Sequence, residues 1–283
     1  MAPQPPPEMP LPQRLMALAQ TLQFGWFVGH FTLLLTTLRY ALAALKFSTN
    51  TRVASLCYRL GFLSAAVTYG IVVYKAYRPR VRSGQLPGGQ AGVMKVLGDE
   101  NVQYLFMALI WLYTKPILYA LLPFAVYSTF HFLTYLRTNL LPTIFPPPPA
   151  SPTSPGGSKP QSAFSESIAK FVKNNYDYSM HLVANLELFL WARIFCGALI
   201  FRNSWILLAI YTIFLRTRYS QSPFVRDALK GLEVRGNALA ADNNIPDGAK
   251  NVWSTVKSGV KSFGEFTDLG KYLGGGGTPK KAQ

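Results

Sequence analysis

The sequence predicts an all-α, polytopic integral membrane protein with bent helical hairpins and a C-terminal amphipathic helix. Three observations lead to this prediction. Only 14% of the residues are charged, whereas a soluble domain of this size carries roughly 25%. Long apolar runs reach or exceed the length of about 20 residues that a membrane-crossing helix needs. A segment near the C-terminus places its apolar residues on one helical face.

The first element is an N-terminal segment that begins MAPQPPPEMPLPQ. It is rich in proline and lacks the basic start of a cleavable signal peptide. We therefore expect residues 1–21 to form a Pro-rich, disordered cytosolic tail, so that the first apolar run directs membrane insertion.

The second element is a pair of apolar runs, residues 22–45 and 53–77. Each run is long enough to cross a bilayer once, and only residues 46–52 separate them. Small residues between Gly61 and Gly70 favour close helix packing in lipid. The sequence thus predicts a two-span transmembrane hairpin over residues 22–77.

A basic, Gly-rich loop is predicted over residues 78–101. The net charge of the chain is +16, and a cytosolic excess of Lys and Arg sets the orientation of membrane proteins. The N-terminal side and this loop together carry more Lys and Arg than residues 46–52, which places both in the cytosol. The tail over residues 216–283, with eleven Lys and Arg against six Asp and Glu, is also predicted to be cytosolic.

The apolar run over residues 102–136 is too long for one straight span. It would extend about 52 Å as a helix, whereas the hydrocarbon core is about 30 Å thick. The tilt required exceeds the usual range of up to about 40°. Lys115 and Pro116 are the expected break, because proline removes a backbone donor and clashes with the preceding turn. Pro123 follows in the second arm.

A second long run, residues 182–215, contains a mirrored break at Arg202 and Asn203. A Pro/Ser linker with a short polar helix, over residues 137–181, joins the two bent units. Each unit is either a shallow hairpin or an interfacial segment leading into one span. If both units are hairpins, or if both cross the membrane once, the tail lies in the cytosol.

The clearest functional candidate is an amphipathic helix over residues 251–273. Its predicted membrane-binding face consists of Val252, Trp253, Val256, Val260, Phe263, Phe266 and Leu273. The lysines that cluster opposite this face are Lys250, Lys257 and Lys261. Such a helix lies in the headgroup plane, and its Ser/Gly-rich remainder favours curved membranes over flat ones. Packing on the protein's own core, and docking in a partner's groove, are the alternatives.

The sequence offers little for chemistry. Its two cysteines, Cys57 and Cys196, lie in apolar runs, and no metal-ligand spacing, nucleophile motif or phosphate loop is present. We therefore predict no catalytic residue, metal site or cofactor, and no nucleic-acid partner. Intramembrane ionisable residues leave one alternative function open, a transporter or channel that uses Lys115, Glu187 and Arg193.

The third and fourth runs carry a family resemblance. The stretches ENVQYLFMALIWLYTKPILYALLPFAVYSTFHFLTYL, NLELFLWARIFCGALIF and IFLRTRYSQSPFVRDAL resemble the transmembrane protein 33 family. The similarity is closest to its fungal branch of pore-membrane and endoplasmic-reticulum proteins. The likeness covers most of residues 22–239, with NLELFL and FLRTRYS as its most specific parts.

The resemblance implies a non-enzymatic protein of the endoplasmic reticulum membrane and nuclear envelope, including the nuclear pore membrane. Such a protein is expected to stabilise curved membrane, to contribute to nuclear pore complex distribution or assembly, and to organise tubular reticulum. The implied partners are a curved, anionic bilayer, reticulon-type membrane-shaping proteins, nuclear pore components and, at the tail, a nuclear transport receptor. Family members of the fungal branch carry a C-terminal amphipathic helix, which residues 251–273 match in position and character.

Overall fold

The computed structural model describes residues 9–146 and 163–266, and these residues form helices and connecting turns without a β-strand. The chain divides into two compact units, Met1–Thr217 and Arg218–Gln283. The predicted all-α class is therefore confirmed.

The helices of the described residues follow one another closely. In chain order they are α1 (Leu11–Ala19), α2 (Leu22–Leu45), α3 (Arg52–Arg82), α4 (Gly89–Leu97), α5 (Glu100–Tyr113), α6 (Leu118–Tyr135), a π-helical turn (Leu136–Leu140), α7 (Leu141–Ile144), α8 (Ala163–Leu199), α9 (Trp205–Gln221), α10 (Pro223–Ala240) and α11 (Asp247–Phe266).

Three of the described helices, α2, α3 and α8, are long and apolar enough to cross a membrane. Helix α5 has 14 residues and is therefore about 21 Å long, which is shorter than the hydrocarbon core of about 30 Å. The structure thus combines full-length spans with a helix that is too short to cross alone.

Helices α2 and α3 form the first hairpin. Thr51 caps α3 by accepting a hydrogen bond from the backbone N–H of Ala54 at 3.2 Å. At Gly61 the two helices and α6 approach closely: a Cβ there would lie 3.1 Å from Leu121 Cδ2 and 3.2 Å from Thr36 Oγ1. A small residue at position 61 allows this approach.

The run over residues 102–136 reverses direction between α5 and α6. Tyr104, near the start of α5, faces the middle of α6: its ring centroid lies 5.4 Å from that of Phe124, and its hydroxyl lies 3.3 Å from the Tyr127 hydroxyl. Helix α5 ends at Tyr113 and α6 begins at Leu118. The physical cause is Pro116, which disfavours helical backbone at the residue before it and cannot donate a hydrogen bond.

The run over residues 182–215 also reverses, between α8 and α9. Trp191 donates its indole N–H to Thr212 Oγ1 at 2.9 Å, which joins the two antiparallel arms. At the turn, the backbone N–H groups of Arg202 and Asn203 donate to the carbonyl of Gly197 at 2.7 and 3.0 Å. These bonds satisfy a carbonyl that the end of α8 leaves without a helical partner.

The core of the first unit is strongly aromatic. Tyr58 and Phe62 from α3, Trp111 from α5, Phe124 from α6 and Tyr211 from α9 are all buried. Phe62 and Phe124 meet edge to face at 5.4 Å, an arrangement that aromatic rings prefer over direct stacking. Four helices that are distant in sequence thereby pack around one centre.

The structure corrects the predicted disordered tail over residues 1–21 at the residues of this segment that it describes, 9–21. Residues 11–19 form helix α1, whose Leu18 packs against Phe27 and Tyr135. Pro10 and Pro12 do not prevent this helix, because proline is tolerated at the start of a helix, where its missing N–H would have no helical partner.

The predicted loop over residues 78–101 is also largely helical. Helix α3 continues through Pro79 to Arg82, where Gly84 has a φ of 66° and the N–H of Gln85 bonds back to the carbonyl of Arg80. This is the Schellman pattern, which glycine favours because it adopts the left-handed region without strain. Helix α4 then covers residues 89–97.

The predicted linker over residues 137–181 is replaced in part by helix. The π-helical turn and α7 cover residues 136–144, and a single helix, α8, runs from Ala163 to Leu199. The polar and apolar segments of α8 are continuous because neither Pro nor Gly occurs between residues 163 and 196 to end it.

Candidate functional site

The C-terminal unit contains a helical hairpin built from α10 and α11. Ser222 caps α10 by accepting a hydrogen bond from the N–H of Val225 at 3.4 Å, and Pro223 occupies the first helical turn. Helix α11 begins at Asp247, whose carboxylate pairs with Lys250 Nζ at 3.7 Å. An acidic residue in the first turn stabilises a helix through its dipole.

Three valines form an exposed stripe on α11, which we call the valine face. Val252, Val256 and Val260 keep 63%, 50% and 62% of their surface exposed. They recur every four residues and therefore lie one above the other on the helix. Lys261 is exposed as well. Within the described residues this face is not covered by protein.

Trp253 is oriented differently from the valines. Its indole packs over Gly236 of α10, where a Cβ would lie 2.7 Å from the indole Cε2 and closer still to two other ring carbons. Its N–H donates to Asn237 Oδ1 at 3.0 Å, and Lys257 Nζ donates to the same oxygen at 3.3 Å. Trp253 and Lys257 thus hold α11 against α10, and we call this contact the tryptophan clip.

The remaining predicted residues of the face have different positions. Phe263 and Phe266 belong to helix α11, whereas Leu273 lies outside the described residues. Lys250 is half-buried and paired with Asp247. The membrane-binding assignment of this set stays a prediction.

The residues predicted to determine topology lie at the two reversals. Lys115 and Pro116 are exposed in the turn between α5 and α6, and Pro123 is buried within α6. Arg202 is exposed in the turn after α8, and the Asn203 amide donates to the carbonyl of Ile194 at 3.4 Å.

Glu187 is a buried carboxylate, with only 1% of its surface exposed. Its side chain accepts a hydrogen bond from the Tyr104 hydroxyl, and the Tyr211 hydroxyl donates to its backbone carbonyl at 3.2 Å. Beside it lies a cavity of about 10 Å³, which is close to the smallest volume that holds one water molecule. Lys115 and Arg193 are exposed, so the three residues of the transport alternative do not form one buried cluster.

One polar cluster was not evident from the sequence. His30 on α2 and His131 on α6 bring their ring centroids within 4.8 Å of each other. Nδ1 of His30 lies 2.9 Å from Ser128 Oγ, and Trp26 packs edge-on against His30 at 4.5 Å. Each histidine occurs alone in an apolar run, and only the packing of α2 on α6 brings the two together.

The described residues contain no group of three or more His, Cys, Asp or Glu side chains that could hold a metal ion.

Comparison with known proteins gives the family. The sequence model described as transmembrane protein 33/nucleoporin POM33 matches residues 10–264. The chain belongs to this family. Its predicted resemblance to the transmembrane protein 33 family is therefore confirmed, and its long apolar helices are those of an integral membrane protein.

Several fungal members of the transmembrane protein 33/nucleoporin POM33 family are similar along almost their whole length. Nucleoporin POM33 of Chaetomium thermophilum is 46% identical over 291 residues, which cover 100% of both chains. Tetra-spanning protein 1 of Schizosaccharomyces pombe is 36% identical over 90% of this chain and 88% of its own. The pore membrane protein of 33 kDa of Saccharomyces cerevisiae is 31% identical over 92% of each chain. No solved structure matches this chain.

Proposed function

We propose that this chain is a non-enzymatic membrane-organising protein of the nuclear pore membrane and the endoplasmic reticulum. It stabilises curved membrane, and through this it contributes to the distribution or assembly of nuclear pore complexes and to tubular reticulum. The names of its relatives, a nucleoporin and a pore membrane protein, support the location. The exposed valine face of α11 is the observation that carries the mechanism.

The valine face favours lipid over water as its neighbour. Burying a valine side chain contributes roughly 1.5–3 kcal/mol, and three valines on one stripe can enter the headgroup region together. Their small size produces a shallow insertion, which depends on gaps between lipid headgroups. Such gaps are more frequent on strongly curved membrane, so the helix is expected to prefer it.

The short α5–α6 hairpin contributes a second wedge in this proposal. Helix α5, about 21 Å long, does not reach across the hydrocarbon core, so the α5–α6 hairpin occupies more area in the leaflet from which it enters. The positive-inside rule places this entry, and the tail, on the cytosolic side. Both wedges then expand the same leaflet and favour positive curvature.

The proposed partners follow from the same assignment. They are the curved bilayer itself, reticulon-type membrane-shaping proteins, pore components and a nuclear transport receptor that meets the tail. The alternative, transport through Lys115, Glu187 and Arg193, is disfavoured because two of these three side chains are exposed.

The proposal is tested with a tail fragment covering residues 222–283 and vesicles of two sizes. Val256→Asp places a charge on the valine face, and Ser258→Asp places the same charge on the polar face as the matched control. Wild type and Ser258→Asp are expected to sediment with small, highly curved vesicles and less with large ones, whereas Val256→Asp weakens binding at least roughly ten-fold. Equal binding of the wild type to both vesicle sizes would refute the curvature mechanism, and normal binding by Val256→Asp would refute the valine face.

A further inference from the structure

Helix α3 is longer than a bilayer is thick. Its 31 residues extend about 46 Å, whereas the hydrocarbon core is about 30 Å. The apolar part ends at Val73, so about nine residues of α3 project beyond it. With the apolar part of α3 spanning the hydrocarbon core, Lys75 would lie at its boundary and the residues up to Arg82 would pass through the headgroup layer.

The projecting end of α3 carries three cations on one face. Lys75, Arg78 and Arg82 are spaced three and four residues apart, so they lie side by side on the helix surface. All three are exposed, and among the described residues no carboxylate lies within ion-pair distance of them. Like charges at this spacing destabilise a helix, which favours an anion on this face.

The face is held in a fixed position by neighbouring aromatic residues. The Arg78 guanidinium lies over the ring of Tyr74, 5.3 Å from its centroid. On the other side of α3, Tyr77 donates its hydroxyl to the Asp99 carboxylate at 3.1 Å. That carboxylate also accepts a hydrogen bond from the N–H of Asn101 at 2.8 Å, so Asp99 ties α3 to the start of α5.

We propose that Lys75, Arg78 and Arg82 form a binding site for the anionic headgroups of phospholipids. The Arg78 guanidinium can grip a phosphate through two parallel hydrogen bonds, as arginine does elsewhere, and Lys75 and Arg82 supply point charges on either side. The ligand is a lipid rather than a free phosphate because the site lies at headgroup depth, where tethered phosphates are concentrated. The site is separate from α11 and does not depend on the proposed function.

The test uses the full-length chain in detergent and native mass spectrometry with added phosphatidylserine or phosphatidylcholine. A basic residue near an anionic surface strengthens binding about five-fold. The triple variant Lys75→Gln/Arg78→Gln/Arg82→Gln is therefore expected to weaken the tightest phosphatidylserine binding about 100-fold, with phosphatidylcholine binding unchanged. The matched control, Lys170→Gln/Lys173→Gln/Lys230→Gln, removes the same charge at other exposed positions and is expected to change binding less than about five-fold.

Two further measurements separate the possible outcomes. Circular dichroism of the triple variant checks that its helix content equals that of the wild type. If it does not, the single variant Arg78→Lys is used, which keeps the charge but cannot form two parallel hydrogen bonds to a phosphate. This variant is expected to weaken phosphatidylserine binding, and unchanged binding would overturn the proposal. A five-fold or smaller effect of the triple variant, or equal losses in the triple variant and the control, would overturn the proposal. Displacement of bound phosphatidylserine by an equal concentration of inorganic phosphate would assign the site to free phosphate instead of a headgroup.

Discussion

Gly236→Ala is the most direct test of the tryptophan clip. The new Cβ would lie 2.7 Å from Trp253 Cε2 and closer to two other ring carbons. Carbon atoms that are not bonded to each other clash at this separation. The Trp253 indole therefore has to move away from α10, and its hydrogen bond to Asn237 is then lost. Overpacking of this kind costs typically 1–3 kcal/mol, and a neutral hydrogen bond contributes about 1 kcal/mol.

Helix propensity acts in the opposite direction and has to be controlled. Alanine favours helix over glycine by about 1 kcal/mol, so Gly236→Ala strengthens α10 while it releases α11. Gly231→Ala is the matched control, since a Cβ at Gly231 meets nothing within 4 Å. The control gains the same propensity without touching Trp253.

The assay is amide hydrogen exchange of the full-length chain in detergent, followed over residues 250–262. A loss of about 1.4 kcal/mol accelerates exchange through local opening about ten-fold. Gly236→Ala is expected to show an acceleration of this size in α11, whereas Gly231→Ala shows none. Unchanged exchange in Gly236→Ala, or equal acceleration in both variants, would show that the clip does not hold α11.

Two further predictions concern the first unit. Tyr104→Phe removes a hydroxyl donor from the buried carboxylate of Glu187. It is expected to lower the free energy of unfolding by about 1–2 kcal/mol, measured as a lower unfolding midpoint in detergent. An unchanged midpoint would show that this hydrogen bond makes no net contribution to stability. Gly61→Leu places a large side chain in the close contact with α2 and α6 and is expected to lower the free energy of unfolding by about 1–3 kcal/mol. Gly70→Leu is the control, since an added Cβ at Gly70 meets nothing within 4 Å, and its unfolding midpoint should stay near the wild-type value. Similar losses of stability in both variants would contradict the packing argument.

The breaks in the long apolar runs illustrate what local sequence predicts well. Pro116 predicts a break after Lys115, because the proline ring restricts the backbone of the residue before it and proline lacks a backbone donor. The structure has a turn there, and a second turn at Arg202 and Asn203. Helix α11 is likewise predicted from local sequence, since apolar residues that recur every three to four positions indicate an amphipathic helix.

The errors have a common cause. The Pro and Gly content of residues 1–21 and 78–101 predicts irregular structure, yet Pro12 lies at a helix start and Pro79 lies inside a helix. Leu18 packs against Phe27 and Tyr135, a contact that stabilises α1. Tertiary contacts of this kind override local propensity, which is only a weak guide.

The sequence by itself determined the membrane class, the positions of the two reversals and the amphipathic character of α11. Each of these depends on hydrophobicity or backbone restriction within one short segment. Only the tertiary structure decided that Trp253 packs on Gly236 while the valine face stays open, that His30 lies beside His131, and that Glu187 accepts a hydrogen bond from Tyr104. These pairings depend on the relative positions of helices that are distant in sequence, and those positions are set by side-chain packing across the whole unit.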